Sequence, residues 1–253
     1  MPEGILRIRD VSKSFGGLKA VNGISLSIAR EKITLLIGPN GSGKTTLVNV
    51  ITGFLRPDSG QIYFEDRDVT GWPMHRICRE GMVRSFQLPA PFDSLSVLGN
   101  LLVACDTGPG ESLLRCAFKG QWKAREEEGM RRAFGVAEAL GLLPYWDARV
   151  TSLSTGHIKL TELGRALMAN AKLVILDEPI CGVDPVMADE VFSLLIRLRD
   201  ERGLTFLVIE HRLDIALKYA DYVYVMHQGT LISEGSVDRV LGDSRVKEVY
   251  LGE

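Results

Sequence analysis

The sequence GPNGSGKT occupies residues 38–45, after an apolar run at 33–37 and before the helix-like stretch TTLVNVITGF. A G-x-x-x-x-G-K-[ST] pattern between a strand and a helix is typical of a loop that binds nucleotide phosphates. Glycines let backbone N–H groups approach phosphate oxygens, and the helix N-terminus adds the positive end of its dipole. A glycine-rich turn that matches by chance is the alternative, and the flanking elements argue against it. The residues predicted to bind a nucleoside triphosphate are Gly38, Pro39, Asn40, Gly41, Ser42, Gly43, Lys44, Thr45 and Thr46.

Four side chains have a predicted chemical role at this point. Lys44 is expected to reach the β- and γ-phosphates, and the Thr45 hydroxyl to ligate Mg²⁺. The run LVILDEP at 173–179 predicts a buried strand that ends in Asp177 and Glu178. Because open α/β sheets bind ligands at the carboxyl ends of their strands, we predict that Asp177 helps to hold Mg²⁺ and that Glu178 activates the attacking water. Taken alone, the run also fits a strand that ends in solvated acids.

A third motif precedes the acid pair. Residues 153–156 read LSTG and are followed by a predicted helix, HIKLTELGRALMAN. Ser154 lies 24 positions before Glu178. In order and spacing, these motifs resemble those of the ATP-binding-cassette (ABC) ATPases, whose signature LSGGQ stands at a similar distance before the acids.

Further markers of the same family follow its order along the chain. The resemblance implies that Phe15, in SKSFGG, lies against adenine and that His211, in VIEH, contacts the γ-phosphate. It also implies that Gln87, in RSFQ, completes the Mg²⁺ site and links it to a membrane partner. Val183 and Asp184 match the D-loop that follows the acid pair. The predicted catalytic residues are therefore Glu178, His211 and Gln87, and the predicted Mg²⁺ residues are Thr45, Gln87 and Asp177.

The resemblance covers nearly the whole chain and implies an α/β fold of the P-loop NTPase type. We expect one nucleotide-binding domain over 1–253, with a RecA-like core and an antiparallel β edge subdomain at about 1–87 and 171–253. A helical subdomain at about 88–170 is expected to carry the signature. Each ATP is expected to lie between the phosphate loop of one subunit and the signature of a second copy or a paralogue. The signature residues expected to act in trans are Leu153, Ser154, Thr155, Gly156 and His157.

The signature departs from the family pattern at Thr155 and His157. An imidazole is shorter than the usual glutamine side chain, and its charge changes near neutral pH. One interpretation is that His157 supports the signature loop less well and weakens the site. The other is that His157 is a tolerated surface residue on the first helical turn, and the sequence leaves both open.

Three further stretches resemble one subfamily: residues 6–28, LSVLGNLLVA at 95–104, and EVYLGE at 248–253. The subfamily comprises ATPase subunits of bacterial importers for branched-chain amino acids, with relatives for urea and short amides. It implies two transmembrane permease subunits, a solute-binding protein, and a peripheral location on the cytoplasmic face of the inner membrane. Lipopolysaccharide-export ATPases, and non-transport or regulatory cassette ATPases with weak hydrolysis, are the alternatives.

Composition agrees with this interpretation. The 253 residues are 45% hydrophobic and carry a net charge of −2, so there is no basic footprint for nucleic acid. No stretch approaches the roughly 18 uncharged apolar residues that span a bilayer, so a membrane role is expected to depend on partners. The cysteines have no metal-ligand spacing and are expected to be free, buried thiols. They are Cys78, Cys105, Cys116 and Cys181.

The remaining sequence predicts the connecting elements. Short strands and turns are expected over the first ninety residues, and an amphipathic helix at 123–143 after a turn-rich linker at 105–121. A hairpin is expected to turn at Gln228-Gly229. Helices are expected at 157–170, 186–202 and 212–220, and a strand at 205–209.

Overall fold

The computed structural model describes residues 4–85, 91–105 and 119–251, with the side chains of 126–250 in the last range. Gln87 and almost all of the predicted linker at 105–121 lie outside the described residues. The chain divides into two compact units. The first contains Met1–Gln87 and Lys172–Glu253, and the second Leu88–Ala171.

An antiparallel sheet forms one part of the first unit, with strand order β2-β1-β4-β5. Register shifts interrupt the pairing of its two longest strands, which are ten and eleven residues long rather than short as predicted. Such bulges twist a strand and let pairing continue beyond them. The strands are β1 (Leu6–Phe15), β2 (Leu18–Ile28), β4 (Ser59–Phe64) and β5 (Arg67–Asp68).

A six-stranded sheet of order β10-β9-β3-β8-β7-β6 forms the other part. All neighbours are parallel except β9 and β10. Every residue of β3, β7 and β8 is buried, as expected for parallel strands covered on both faces. The strands are β3 (Ile33–Ile37), β6 (Met82–Arg84), β7 (Leu173–Asp177), β8 (Thr205–Ile209), β9 (Tyr222–His227) and β10 (Thr230–Gly235).

The predicted hairpin is present between β9 and β10. Gln228 and Gly229 both have positive φ, at 47° and 77°, as a two-residue turn of type I′ requires. Asp184 caps the longest helix of this unit by accepting from the backbone N–H groups of Val186 and Met187. The helices of the first unit are α1 (Lys44–Ile51), α2 (Met74–Glu80), α6 (Pro185–Arg202), α7 (Leu213–Ala216), α8 (Val237–Gly242) and α9 (Ser244–Leu251), with a 3₁₀ turn at Leu217–Tyr219.

The second unit is helical in its described part. A Cβ at Gly164 would lie 2.6 Å from Leu101 Cδ2 and 3.0 Å from Leu140 Cδ1, so the absence of a side chain there lets the helices approach closely. The helix predicted from 123 starts earlier in the structure and ends four residues sooner. The elements are α3 (Val97–Val103), α4 (Lys119–Ala139) and α5 (Thr155–Met168), with 3₁₀ turns at Leu143–Tyr145 and Val150–Ser152.

Among the residues that the structure describes, no helix combines the length and apolar character needed to cross a membrane. Cys78, Cys105 and Cys181 are free thiols, but the prediction that they are buried is wrong: Cys78 and Cys105 are half-buried and Cys181 is exposed. Cys116 lies outside the described residues.

Candidate functional site

The phosphate loop connects β3 to α1, and two of its glycines have no room for a side chain. A Cβ at Gly38 (φ 153°) would lie 2.1 Å from the carbonyl oxygen of Met226. A Cβ at Gly43 (φ 101°) would lie 2.1 Å from that of Ala20. The loop is also held by the β9–β10 hairpin, since Gly229 N–H donates to the Ser42 carbonyl at 2.9 Å. Gly38 and Gly43 are thus required by close backbone packing as well as by conformation.

Lys44 is the first residue of α1 and is only 5% exposed. Its ammonium group donates to the carbonyls of Gly38 and Pro39 at 2.8 and 3.0 Å, and contacts Ser42 Oγ at 3.3 Å. Burial lowers the pKa of Lys44, while the nearby carboxylates Glu178 and Asp177 oppose that shift. A positive charge is therefore held inside the loop, where phosphate oxygens would enter.

A cavity of about 610 Å³ lies beside this loop. Phe15 is 49% exposed and gives the cavity an aromatic wall. Lys19, Gln228 and Gly229 also line it, although sequence reasoning predicted only the hairpin turn and assigned none of the three to the site. Of the predicted residues, those that line the cavity are Phe15, Asn40, Gly41, Ser42, Gly43, Lys44, Thr45, Thr46, Glu178 and His211.

Glu178 and His211 follow two neighbouring strands, β7 and β8, at the edge where the phosphate loop also begins. His211 Nε2 lies 3.2 Å from Glu178 Oε1. Glu178 N–H donates to the carbonyl of Ile209 at 2.9 Å, and Glu178 has a φ of 52°. A positive φ is uncommon for a residue with a side chain and clusters at functional sites. The arrangement places a carboxylate and an imidazole side by side in the cavity.

Asp177 lies deeper than Glu178, with 4% exposure. Its Oδ2 accepts from Arg84 at 2.6 Å, and the same guanidinium donates to Asn49 on α1. Arg84 thus connects the strand of the acid pair, the helix of the phosphate loop and β6. This ion pair could not be predicted from the sequence, because a three-residue strand such as β6 shows no periodicity.

We expect Arg84→Met to lower the free energy of unfolding by about 3–5 kcal/mol, because it leaves Asp177 as a buried charge without this partner. Chemical denaturation would measure the loss. Adding Asp177→Asn to the variant should recover part of it, since the uncompensated charge is then gone. A loss below about 0.5 kcal/mol, the usual effect of a surface substitution, would contradict the importance of the pair.

The donor atoms fit a cation that binds together with phosphates. Within the described ranges, no group of three or more His, Cys, Asp or Glu side chains is placed to hold a metal ion. The exposed Thr45 hydroxyl and the Asp177 carboxylate supply hard oxygen atoms. Mg²⁺ characteristically uses one or two protein oxygens and completes its shell with phosphate oxygens and water.

The D-loop residues lie just after the acid pair. Val183 presents its carbonyl to the Arg212 guanidinium at 3.1 Å, and Asp184 is the N-cap of α6. Val183 and Asp184 therefore both stabilise the structure of this unit.

The signature residues belong to the second unit. Ser154 is the N-cap of α5, and its Oγ lies 2.7 Å from His157 Nδ1. The His157 ring also packs against Tyr145, with ring centroids 4.3 Å apart. His157 is therefore in contact with the signature serine, a contact that was not predicted by the interpretation of His157 as a tolerated surface residue. Leu153 is half-buried, Thr155 is exposed and Gly156 is buried.

A mainly parallel sheet with a phosphate loop, an acid pair and a histidine at one edge defines a P-loop nucleotide-binding protein. The chain belongs to the ABC transporter family, whose model matches residues 21–181. The predicted α/β cassette fold, with a parallel core sheet and an antiparallel β subdomain, is thereby confirmed.

Several relatives match this chain over nearly its whole length. The chain is 46% identical to the "Probable branched-chain amino acid transport ATP-binding protein LivG" of Methanocaldococcus jannaschii, over 98% of each chain. It is 34% identical to the high-affinity branched-chain amino acid transport ATP-binding protein LivG of Salmonella typhimurium, over the whole of both chains. A solved ATP-binding cassette of an ABC transporter, in its ADP conformation, is 46% identical with a TM-score of 0.86, and the match covers 99% of this chain and 100% of that one. The chain is thus an ATP-binding cassette.

Proposed function

We propose that this chain is the ATP-hydrolysing, energy-coupling subunit of an importer for branched-chain amino acids. The observation that carries hydrolysis is the cavity, in which Phe15, Lys44, Glu178 and His211 meet. The names of the full-length relatives support the solute class and favour the importer over a lipopolysaccharide exporter.

Binding depends on three features of the cavity. The half-exposed Phe15 ring would stack on adenine, because a flat apolar surface beside the loop suits a base. The loop amides and the positive end of the α1 dipole would receive the phosphates. Lys44 would exchange contacts with its own loop carbonyls for contacts with β- and γ-phosphate oxygens.

Hydrolysis requires an oriented water more than covalent help from the protein. Glu178 would accept a proton from that water, and His211, at 3.2 Å, would hold the carboxylate and contact the γ-phosphate. Thr45, Asp177 and Gln87 would hold Mg²⁺, which when bound neutralises developing charge on the phosphates. The role of Gln87 stays a prediction, since it lies outside the described residues.

We assign the first unit to the core and β subdomains and the second to the helical subdomain that bears the signature. Ser154 and Gly156 would contact the ATP held by a second copy or paralogue. Permease subunits would dock on the assembled pair at the cytoplasmic face of the membrane.

This function is tested by reconstitution with the permease subunits and solute-binding protein in lipid vesicles. The isolated chain is expected to be monomeric and to release phosphate slowly, because each site needs a second signature. The reconstituted complex should release phosphate faster and import leucine in an ATP-dependent way. Rapid ATPase activity in a sample shown to be monomeric by light scattering would contradict the shared site, and import of an unrelated solute alone would contradict the solute class.

His157→Gln tests the unusual signature. In the structure the imidazole engages Ser154 Oγ, so the serine hydroxyl has a competitor to phosphate. Because one hydrogen bond is worth about 0.5–1.5 kcal/mol, we expect the variant to raise turnover of the full transporter roughly 2- to 10-fold. Phosphate release at saturating ATP would measure this. His75→Gln, at an exposed histidine on α2, is the matched control. Equal rates for His157→Gln and the unmodified protein would assign His157 no functional role.

A further inference from the structure

A buried glutamate lies directly before His211. Glu210 is 2% exposed, and its Oε1 accepts from the N–H of Ile180 at 2.9 Å. Its Oε2 accepts from the N–H of His211 at 3.0 Å and from that of Arg212 at 3.4 Å. One carboxylate therefore connects two separate chain segments, the switch segment (residues 209–212) and the acid-pair segment (residues 177–184).

Besides the contact between His211 and Glu178, two further hydrogen bonds join the same segments. Arg212 donates through its guanidinium to the carbonyl of Val183, three residues beyond Ile180. Glu178 N–H donates to the carbonyl of Ile209. The segments are thus joined at both ends and in the middle.

A smaller neutral residue could also close this turn, so a buried carboxylate at Glu210 is unexpected on structural grounds alone. Burial raises the pKa of Glu210, and the N–H groups of Ile180, Arg212 and His211 oppose that shift. Burying a carboxylate is costly, and it is tolerated where hydrogen bonds compensate it. Here the compensating N–H groups belong to residues close in sequence to the proposed catalytic residues: Ile180 is two positions after Glu178, and the other two are His211 itself and its neighbour Arg212.

We propose that Glu210 and Arg212 are positioning residues that make the switch segment and the acid-pair segment move as one body. A contact between His211 and the γ-phosphate would then be transmitted to Glu178 and to the D-loop carbonyl of Val183. The inference rests on the proposed function, because it assumes that Glu178 and His211 act in ATP hydrolysis.

Glu210→Gln is the most informative substitution, because it keeps the size of the side chain and replaces one carboxylate oxygen, a hydrogen-bond acceptor, by an NH₂ donor. In the unmodified protein the two Glu210 oxygens face three backbone N–H donors. In the variant, the glutamine NH₂ group would face at least one of these donors. A donor facing a donor breaks one link while the side chain still fills its space. Arg212→Met removes the second link at a half-buried position.

The experiment measures steady-state phosphate release by the reconstituted transporter and binding of a non-hydrolysable ATP analogue with Mg²⁺. We expect Glu210→Gln to lower kcat roughly 10- to 100-fold, because small misplacement of catalytic groups has effects of this size, with KM and analogue affinity changed less than about threefold. Arg212→Met should lower kcat in the same direction. Glu201→Gln, at an exposed carboxylate near the end of α6, is the matched control.

Amide hydrogen exchange separates positioning from simple destabilisation. In the unmodified protein, the analogue should slow exchange at both the switch segment and residues 180–184. In Glu210→Gln, it should still slow exchange at the phosphate loop but no longer at residues 180–184. An unchanged kcat, or analogue-induced protection of residues 180–184 as in the unmodified protein, would overturn the proposal; if Glu210→Gln does not fold, Arg212→Met decides it by the same two criteria. Full turnover in Glu178→Gln would instead overturn the proposed function, so the two failures are distinguishable.

Discussion

Glu178→Gln is expected to keep ATP bound and to lose turnover by about 10²- to 10⁴-fold, the usual contribution of a general base. The substitution preserves size, and Glu178 is anchored by its backbone N–H on Ile209, which the side-chain change leaves intact. An amide cannot accept the proton that the attacking water must lose. Phosphate release by the reconstituted transporter would measure kcat, and binding of a fluorescent ATP analogue would measure affinity.

Glu234→Gln provides a matched control for this experiment, since Glu234 is an exposed carboxylate on β10 outside the cavity. It should leave kcat and affinity unchanged within about twofold. If Glu178→Gln instead turned over ATP at the unmodified rate, the proton would have another acceptor, and Glu178 would lose its proposed role. If it lost analogue binding, its effect would belong to the binding step.

Those parts of the site that lie in strong local patterns could be predicted from the sequence. The phosphate loop can be recognised in the sequence because close backbone packing and phosphate access permit only glycine at positions 38 and 43. The buried strands β3, β7 and β8 each contain four apolar residues and one polar residue, and the hairpin carries a turn residue, Gly229, at positive φ.

The parts that were missed depend on contacts between residues far apart in the chain. Arg84 reaches Asp177 across 93 positions, and Glu210 reaches Ile180 across 30. Neither residue belongs to a local periodic pattern, so only the folded sheet shows that their strands are neighbours. The contact between His157 and Ser154, by contrast, joins residues close in sequence. It could not be predicted because packing against Tyr145 decides whether the imidazole faces the serine or the solvent.

Lys44→Ala should act on binding rather than on the chemical step. Lys44 is the buried cation at the centre of the loop, and a hydrogen bond to a charged group contributes about 1.5–3 kcal/mol, or roughly 10- to 150-fold in Kd. At a nucleotide concentration 100 times the original Kd, a 100-fold weaker Kd would cut the stabilisation by ATP from about 2.7 to about 0.4 kcal/mol. Thermal denaturation with and without Mg²⁺-ATP would therefore show a much smaller shift in Tm.

Removing Lys44 also removes its hydrogen bonds to the loop carbonyls, so stability without nucleotide must be measured alongside binding. Lys19→Ala is the matched control, because Lys19 is an exposed lysine that lines the same cavity outside the loop. We expect it to weaken binding less than about threefold, since an exposed charge is screened by water and salt. Equal losses for the two lysine variants would mean that the cavity attracts phosphate by its general charge. A large loss confined to Lys44→Ala would mean that the ammonium held at the loop centre makes the contact, as its position at the start of α1 requires.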